Sequence, residues 1–133
     1  MRSALWPDSA SHAREVDAFL SRQTRDQDVF ILERRDDRLG GFLEVSTRAY
    51  AEGCSTSPVA YIEGWYVDPD LREKGLGAQL VRAAEAWARE RGYQEIASDA
   101  EPQNHISLRA HRALGYREAG RIVCFRKQLA SPD

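Results

Sequence analysis

The run Arg72-Glu73-Lys74-Gly75-Leu76-Gly77-Ala78 follows a β-rich segment and Pro69 and opens an amphipathic stretch. Glycines there let the backbone turn with its N–H groups converging, and the unpaired amides and dipole of a helix's first turn favour an anion. That combination is a phosphate seat. It is not a Walker loop, because no Gly-Lys-Ser/Thr follows, and its glycine spacing differs from the dinucleotide GxGxxG. Taken alone, the run would also suit an ordinary loop before a helix. Upstream, Gly64 interrupts an apolar strand beside Glu63. Glycine inside a strand marks a bulge or a close backbone approach, and a carboxylate in a buried strand is expensive unless it is paired or used. A bulged strand that splays from its neighbour opens a slot whose amides can hold an extended ligand leading to the seat at Gly75 and Gly77. A phosphate with a long amide-bearing arm is what coenzyme A presents.

These groups need a scaffold. A serine at 9 or 11 can cap a helix running to about Gln23, with Val16, Phe19, Leu20 and Gln23 on one face. Residues 28–34 are strand-like, residues 36–41 read as a turn, and a second strand over residues 42–50 completes a hairpin. Residues 51–58 form a small, polar loop. Residues 59–68 are β-rich on both faces, which predicts a central strand. Residues 75–91 put Leu76, Leu80, Val81, Ala84, Trp87 and Ala88 on one stripe, and Gly92 stops that helix. A short strand at 94–99 gives a strand–helix–strand crossover of right-handed parallel length. A second helix over 104–114 and a final edge strand over 121–128 follow. The whole is one domain, residues 1–133, with a mixed α/β sheet. Met1 to Trp6 reads as the end of a helix, which leaves an opening strand missing.

The 133 residues carry 19 Lys plus Arg against 21 Asp plus Glu, a formal charge of -2, so there is no global basic field and no nucleic-acid partner is expected. No apolar stretch approaches the roughly 20 residues needed to cross a bilayer. The first eight residues lack a secretory pattern, which points to the cytoplasm. Cys54 and Cys124 have no metal or CxxC spacing and read as free thiols, and His12, His105 and His111 form no metal set. No metal is expected.

Together with the glycine run, Leu5-Trp6-Pro7, Tyr50, Gly53-Cys54, Ser57-Pro58-Val59, Glu63-Gly64, Ala97-Ser98-Asp99, Asn104-x-x-Ser107, His111-x-Ala113-Leu114-Gly115-Tyr116 and Phe125-Arg126-Lys127 give the chain a likeness to a known family. It resembles the GNAT superfamily of N-acetyltransferases, and within it the aminoglycoside 6'-N-acetyltransferases. The resemblance implies an α/β (α+β) fold with a mixed, mostly antiparallel sheet, a central β-bulge and flanking helices. It implies acetyl-CoA as acetyl donor, with Trp65, Tyr66 and Val67 holding the pantetheine arm through their backbone. Arg72, Glu73, Lys74, Gly75, Leu76, Gly77 and Ala78 would wrap the pyrophosphate, and Asn104 would touch the cofactor. Trp6, Tyr50, Glu63 and Asp99 would line the acceptor pocket; for the two aromatics, core packing is the competing reading. Homodimers are implied too, with Ile122, Val123 and Phe125 giving the last strand an apolar side that needs cover.

An acetyltransferase must deliver a neutral amine to a thioester carbonyl. A lysine-like amine, with a pKa of about 10.4, loses about 4.6 kcal/mol to deprotonation at pH 7. Carboxylates that bind the cation make this worse, so a base is needed, direct or through water. Asp99 is the candidate, with Glu63 steering the cation and the Val67 N–H donating to the developing oxyanion. In many superfamily members a tyrosine protonates the leaving thiolate, and the matching place here is His111. Imidazole can do that work, but a histidine there could equally be a helix-end residue favoured by the dipole. Where aminoglycoside enzymes carry an acidic residue this chain has Gly120, leaving Glu118 nearby. The expected reaction is sequential transfer to a cationic primary amine, in first place the 6'-amine of an aminoglycoside. Another small or peptidyl amine, or a non-catalytic acyl-CoA-binding module, are the alternatives.

Overall fold

The computed structural model describes residues 16–23, for their backbone path, and residues 27–130. Its first element is strand β1 (Val16–Gln23), which pairs antiparallel with β2 (Gln27–Arg34) from Val16↔Arg34 to Gln23↔Asp28. The helical periodicity expected up to Gln23 is therefore overturned over these eight residues. Val16, Ala18 and Leu20 also alternate with a period of two, and the open edge of β2 decides between the patterns. The earlier part of that helix, the opening strand and Trp6 lie outside the described residues.

A tight turn joins β2 to β3 (Leu39–Arg48). Asp37 adopts φ 67°, in the left-handed region that aspartate tolerates, and the Asp36 carboxylate accepts from the Arg38 N–H at 3.2 Å. Strand β3 starts three residues before Phe42 because Gly40 and Gly41 are strand residues rather than turn residues. A Cβ on Gly41 would stand 2.7 Å from the Tyr66 carbonyl oxygen, and one on Gly40 2.8 Å from Leu71 Cδ1.

Strand β4 (Val59–Val67) pairs antiparallel with β3, and β5 (Ile96–Ser98) pairs parallel with β4, giving the order β1-β2-β3-β4-β5. The crossover between the parallel strands is helix α1 (Leu76–Glu90). Its stripe of Leu76, Leu80, Val81, Ala84, Trp87 and Ala88 is buried, against Phe30, Leu32, Leu43, Val45, Ala60 and Ile62 of the sheet. Trp87 is 2% exposed, meets Tyr93 edge-on at 6.0 Å and carries Arg91 over its ring. Trp87→Ala is expected to cost about 3–5 kcal/mol, measured as the change in urea midpoint against wild type. A smaller cluster of Ala51, Val59 and Tyr61 lies apart from this core.

Helix α2 (His105–Ala113) follows, with Asn104 as its cap: the Asn104 side-chain oxygen accepts from the Ser107 N–H at 3.1 Å. The edge strand expected over residues 121–128 is not formed. The available edge belongs to β5, whose three residues offer only a short ladder. Ile122, Val123, Phe125 and Leu129 stand 70–92% exposed.

Candidate active site

The site begins at an interruption in the sheet. Glu44 pairs with Gly64 and Val45 with Ile62, so Glu63 is the extra residue of a bulge in β4. Strand β5 accompanies β4 only as far as Ile62↔Ser98. Beyond that point β4 keeps β3 on one side and, among the described residues, no strand on the other. The Asp68 N–H donates to the Gly40 carbonyl at 2.8 Å, while the Val67 carbonyl accepts from Arg72 Nε at 2.8 Å. Alternation along an antiparallel ladder then aims the backbone groups of Trp65 and Val67 away from β3 and turns those of Tyr66 towards Phe42. Two of the three residues expected to offer their backbone to a pantetheine arm face the opening; Tyr66 does not.

The opening leads to the start of α1. Gly75 is the N-cap at φ 82° and supplies no side chain to the first turn, which carries no acidic residue. The amides there are left for a ligand or solvent. Gly77 packs on Trp65 and Val67: a Cβ on Gly77 would meet the indole at 3.4 Å. The helix start is thus seated directly on the exposed end of β4. Arg72 is tethered there too, with its guanidinium 5.6 Å from the Tyr66 ring. The Trp65 Nε1 is buried without a hydrogen-bond partner, an unmet donor beside the opening.

Helix α2 brings His111 to the same place. Its ring meets Trp65 edge-on at 5.3 Å and Tyr116 at 5.8 Å. Nδ1 lies 2.8 Å from the Ser107 carbonyl oxygen, which can only accept, so Nδ1 carries a proton. Nε2 lies 2.9 Å from Ser98 Oγ at the last paired residue of β5. The imidazole is therefore fixed in tautomer and aimed at the fork between β4 and β5.

Comparison with known proteins matches residues 1–116 to the sequence profile of the Acetyltransferase (GNAT) family. The chain belongs to this family. It is 46% identical over 132 residues to an aminoglycoside N(6')-acetyltransferase type 1 of Klebsiella aerogenes, covering 97% of this chain and 87% of that protein. A protein of the same description from Salmonella typhimurium is 36% identical over 129 residues, covering 96% and 88%. Among solved structures, AAC(6')-Iy in complex with the bisubstrate analogue CoA-S-monomethyl-acetylneamine superposes with a TM-score of 0.73 at 38% identity, covering 80% of this chain and 72% of that one. AAC(6')-Iy in complex with CoA gives 0.74, covering 80% and 79%. The bulged mixed sheet is the GNAT fold.

In this GNAT scaffold the residues expected around the acceptor divide. Asp99, one residue past β5, accepts from the Tyr61 hydroxyl at 2.7 Å. Burial, and then that hydrogen bond, push Tyr61 up to about 12, so it stays a donor to Asp99 across the ordinary pH range. Asp99, His111 and Glu118 line one cavity of about 880 Å³ with Tyr61 and Glu52; Tyr50, 64% exposed, and Glu63 do not line it. Glu118 is paired, taking two hydrogen bonds from Arg121 that hold its carboxyl below the ordinary range. Glu63 is not the free carboxylate expected. Arg48 grips it through Nε at 2.9 Å and Nη2 at 2.7 Å, Ser46 adds a third bond at 2.5 Å, and the Arg48 contact chiefly depresses its pKa. Because the folded value is the lower one, whatever the pair adds to stability is complete above the unfolded carboxylate pKa and fades as pH falls through the folded one. Asn104 caps α2 with its side-chain oxygen. Arg48 and Tyr61 carry no sequence signal of their own: they are ordinary strand residues until the sheet pairs them.

Proposed function

We propose that the chain is an acetyl-CoA-dependent N-acetyltransferase that acylates the 6'-amine of an aminoglycoside by direct attack within a ternary complex. The observation that carries this reading is the continuity of the free edge of β4, from Glu63 to Val67, with the uncapped first turn of α1. The strand edge suits an extended amide-bearing arm, the helix start suits a diphosphate, and the unmet Trp65 Nε1 lies between them. Kinship to enzymes named for 6'-acetylation supports the acceptor.

In this mechanism Asp99 takes the proton of the bound ammonium, directly or through water. The neutral amine attacks the thioester carbonyl while the Val67 N–H donates to the developing oxyanion, the attacking nitrogen sheds its second proton to solvent, the C–S bond breaks, and His111, carrying a second proton on Nε2, protonates the departing thiolate. Cys54 is a poor candidate for holding the acetyl group, since burial and then the charge of Glu95 push its thiol up. His111→Phe keeps the ring packing and removes the acid. It is expected to lower kcat by roughly 100-fold while acetyl-CoA binding is retained; a kcat close to that of wild type assigns the acid elsewhere.

Among the described residues no helix is long and apolar enough to cross a membrane, and the reading places the enzyme in the cytoplasm. The bare apolar row Ile122, Val123, Phe125 and Leu129 supports a homodimer in which a second copy covers it. Thiol release from acetyl-CoA tests the function across aminoglycosides with and without a 6'-amine, polyamines and peptides. Turnover confined to acceptors bearing the 6'-amine is expected. CoA binding without turnover on any amine would make the chain a binding module.

A further inference from the structure

Four side chains, three from strands β3 and β4 and one from the residue after β5, meet on the face of the sheet that carries Tyr61. Arg48, the last residue of β3, lays its guanidinium 3.5 Å above the centroid of the Tyr61 ring while gripping Glu63 with two nitrogens. Tyr61 in turn donates to Asp99. The Arg48 charge is favoured first by its bonds to Glu63 and, at longer range, by the field of Asp99. An aromatic face flanked by two carboxylates is a place built for a cation. Here the cation comes from the protein itself.

We propose that Arg48 is a specificity-determining residue, an internal cation standing where a second ammonium of the acceptor would bind, so that a polycationic acceptor must displace it from Glu63. This rests on the reading of the cavity beside Asp99 as the acceptor site. Side-chain exposures of 43% for Arg48 and 32% for Glu63 leave the pair open to exchange with solvent, and half-exposed ion pairs are weak enough to be opened by a competing ligand. With Arg48 in place the group of Glu63, Asp99 and Arg48 carries one net negative charge; with Arg48 swung out it carries two. Acceptors with one ammonium need only Asp99 and do not meet the barrier. Acceptors with several do, so Arg48 tilts the site against high charge.

The test is calorimetric binding of the multiply charged aminoglycoside sisomicin and of a monoamine to the CoA-loaded protein, wild type against Arg48→Gln, with Arg48→Met as a second neutral variant. Melting temperature and CoA affinity establish that each variant is folded. Sisomicin is expected to bind roughly 3- to 10-fold more tightly to the neutral variants, the monoamine unchanged. In Arg48→Gln/Glu63→Gln the gain should vanish, because the released carboxylate is gone. Unchanged or weaker sisomicin binding in folded neutral variants overturns the proposal, as does a gain that persists in the double variant. Failure of the functional reading looks different: wild type then turns over no aminoglycoside. Should wild type also bind none, binding to Arg48→Gln alone still supports the proposal, and binding to neither overturns it.

Discussion

Exchange of Gly75 for glutamate is expected to raise the dissociation constant for acetyl-CoA by at least about 100-fold, equivalent to about 2.7 kcal/mol. Nothing stands within 4 Å of a Cβ built on Gly75, so the loss does not come from a clash. It comes from two other sources. At φ 82° any side chain is strained, by about 1–2 kcal/mol for an L-residue in the left-handed region. The carboxylate also stands where the account places a diphosphate, and unit charges 4 Å apart repel by about 4 kcal/mol at an effective dielectric of 20. Gly75→Ala separates the two, keeping the strain and dropping the charge. It should weaken binding by less than the glutamate does. Calorimetry with acetyl-CoA reads both, and a glutamate variant that binds within threefold of wild type would remove the phosphate seat.

Asp99→Asn is expected to lower kcat by about 100- to 1,000-fold at neutral pH while leaving acetyl-CoA binding intact. Asparagine keeps an oxygen for the Tyr61 hydroxyl, so the 2.7 Å bond and its surroundings have a ready substitute. What is lost is the acceptor for the ammonium proton. The deficit should therefore shrink as pH rises towards the pKa of the amine, because the solvent takes over the deprotonation. Steady-state rates across pH at saturating acetyl-CoA measure this. A normal kcat in Asp99→Asn, or a deficit that does not change with pH, would assign the base elsewhere.

The parts of the fold and site that could be read from the sequence are those in which chemistry and spacing lie within a short stretch. Glu63-Gly64 marked the bulge, the glycine run marked the start of α1, and the stripe from Leu76 to Ala88 marked the helix, each within a few turns of chain. What escaped was set by pairing at a distance. Residues 16–23 satisfy helical and strand periods alike, and only the edge of β2 chooses. Residues 121–128 look like a strand, yet in one chain they meet an edge of three residues. The acceptor face depends on Arg48, Tyr61, Glu63 and Asp99, which are scattered in sequence and gathered by the register of β3, β4 and β5. Glu63 shows the consequence. Its type and place suggested a free carboxylate, and Arg48 at the end of the neighbouring strand supplies a partner that no local pattern records.

The central claim is that one ligand spans the free edge of β4 and the start of α1, and a crystal structure of the protein with CoA tests it most directly. The account predicts the diphosphate within hydrogen-bond reach, about 3 Å, of backbone amides between residues 72 and 78. It also predicts the pantetheine arm running beside Trp65 and Val67. CoA bound at another surface, or no CoA bound at saturating concentration, would contradict it.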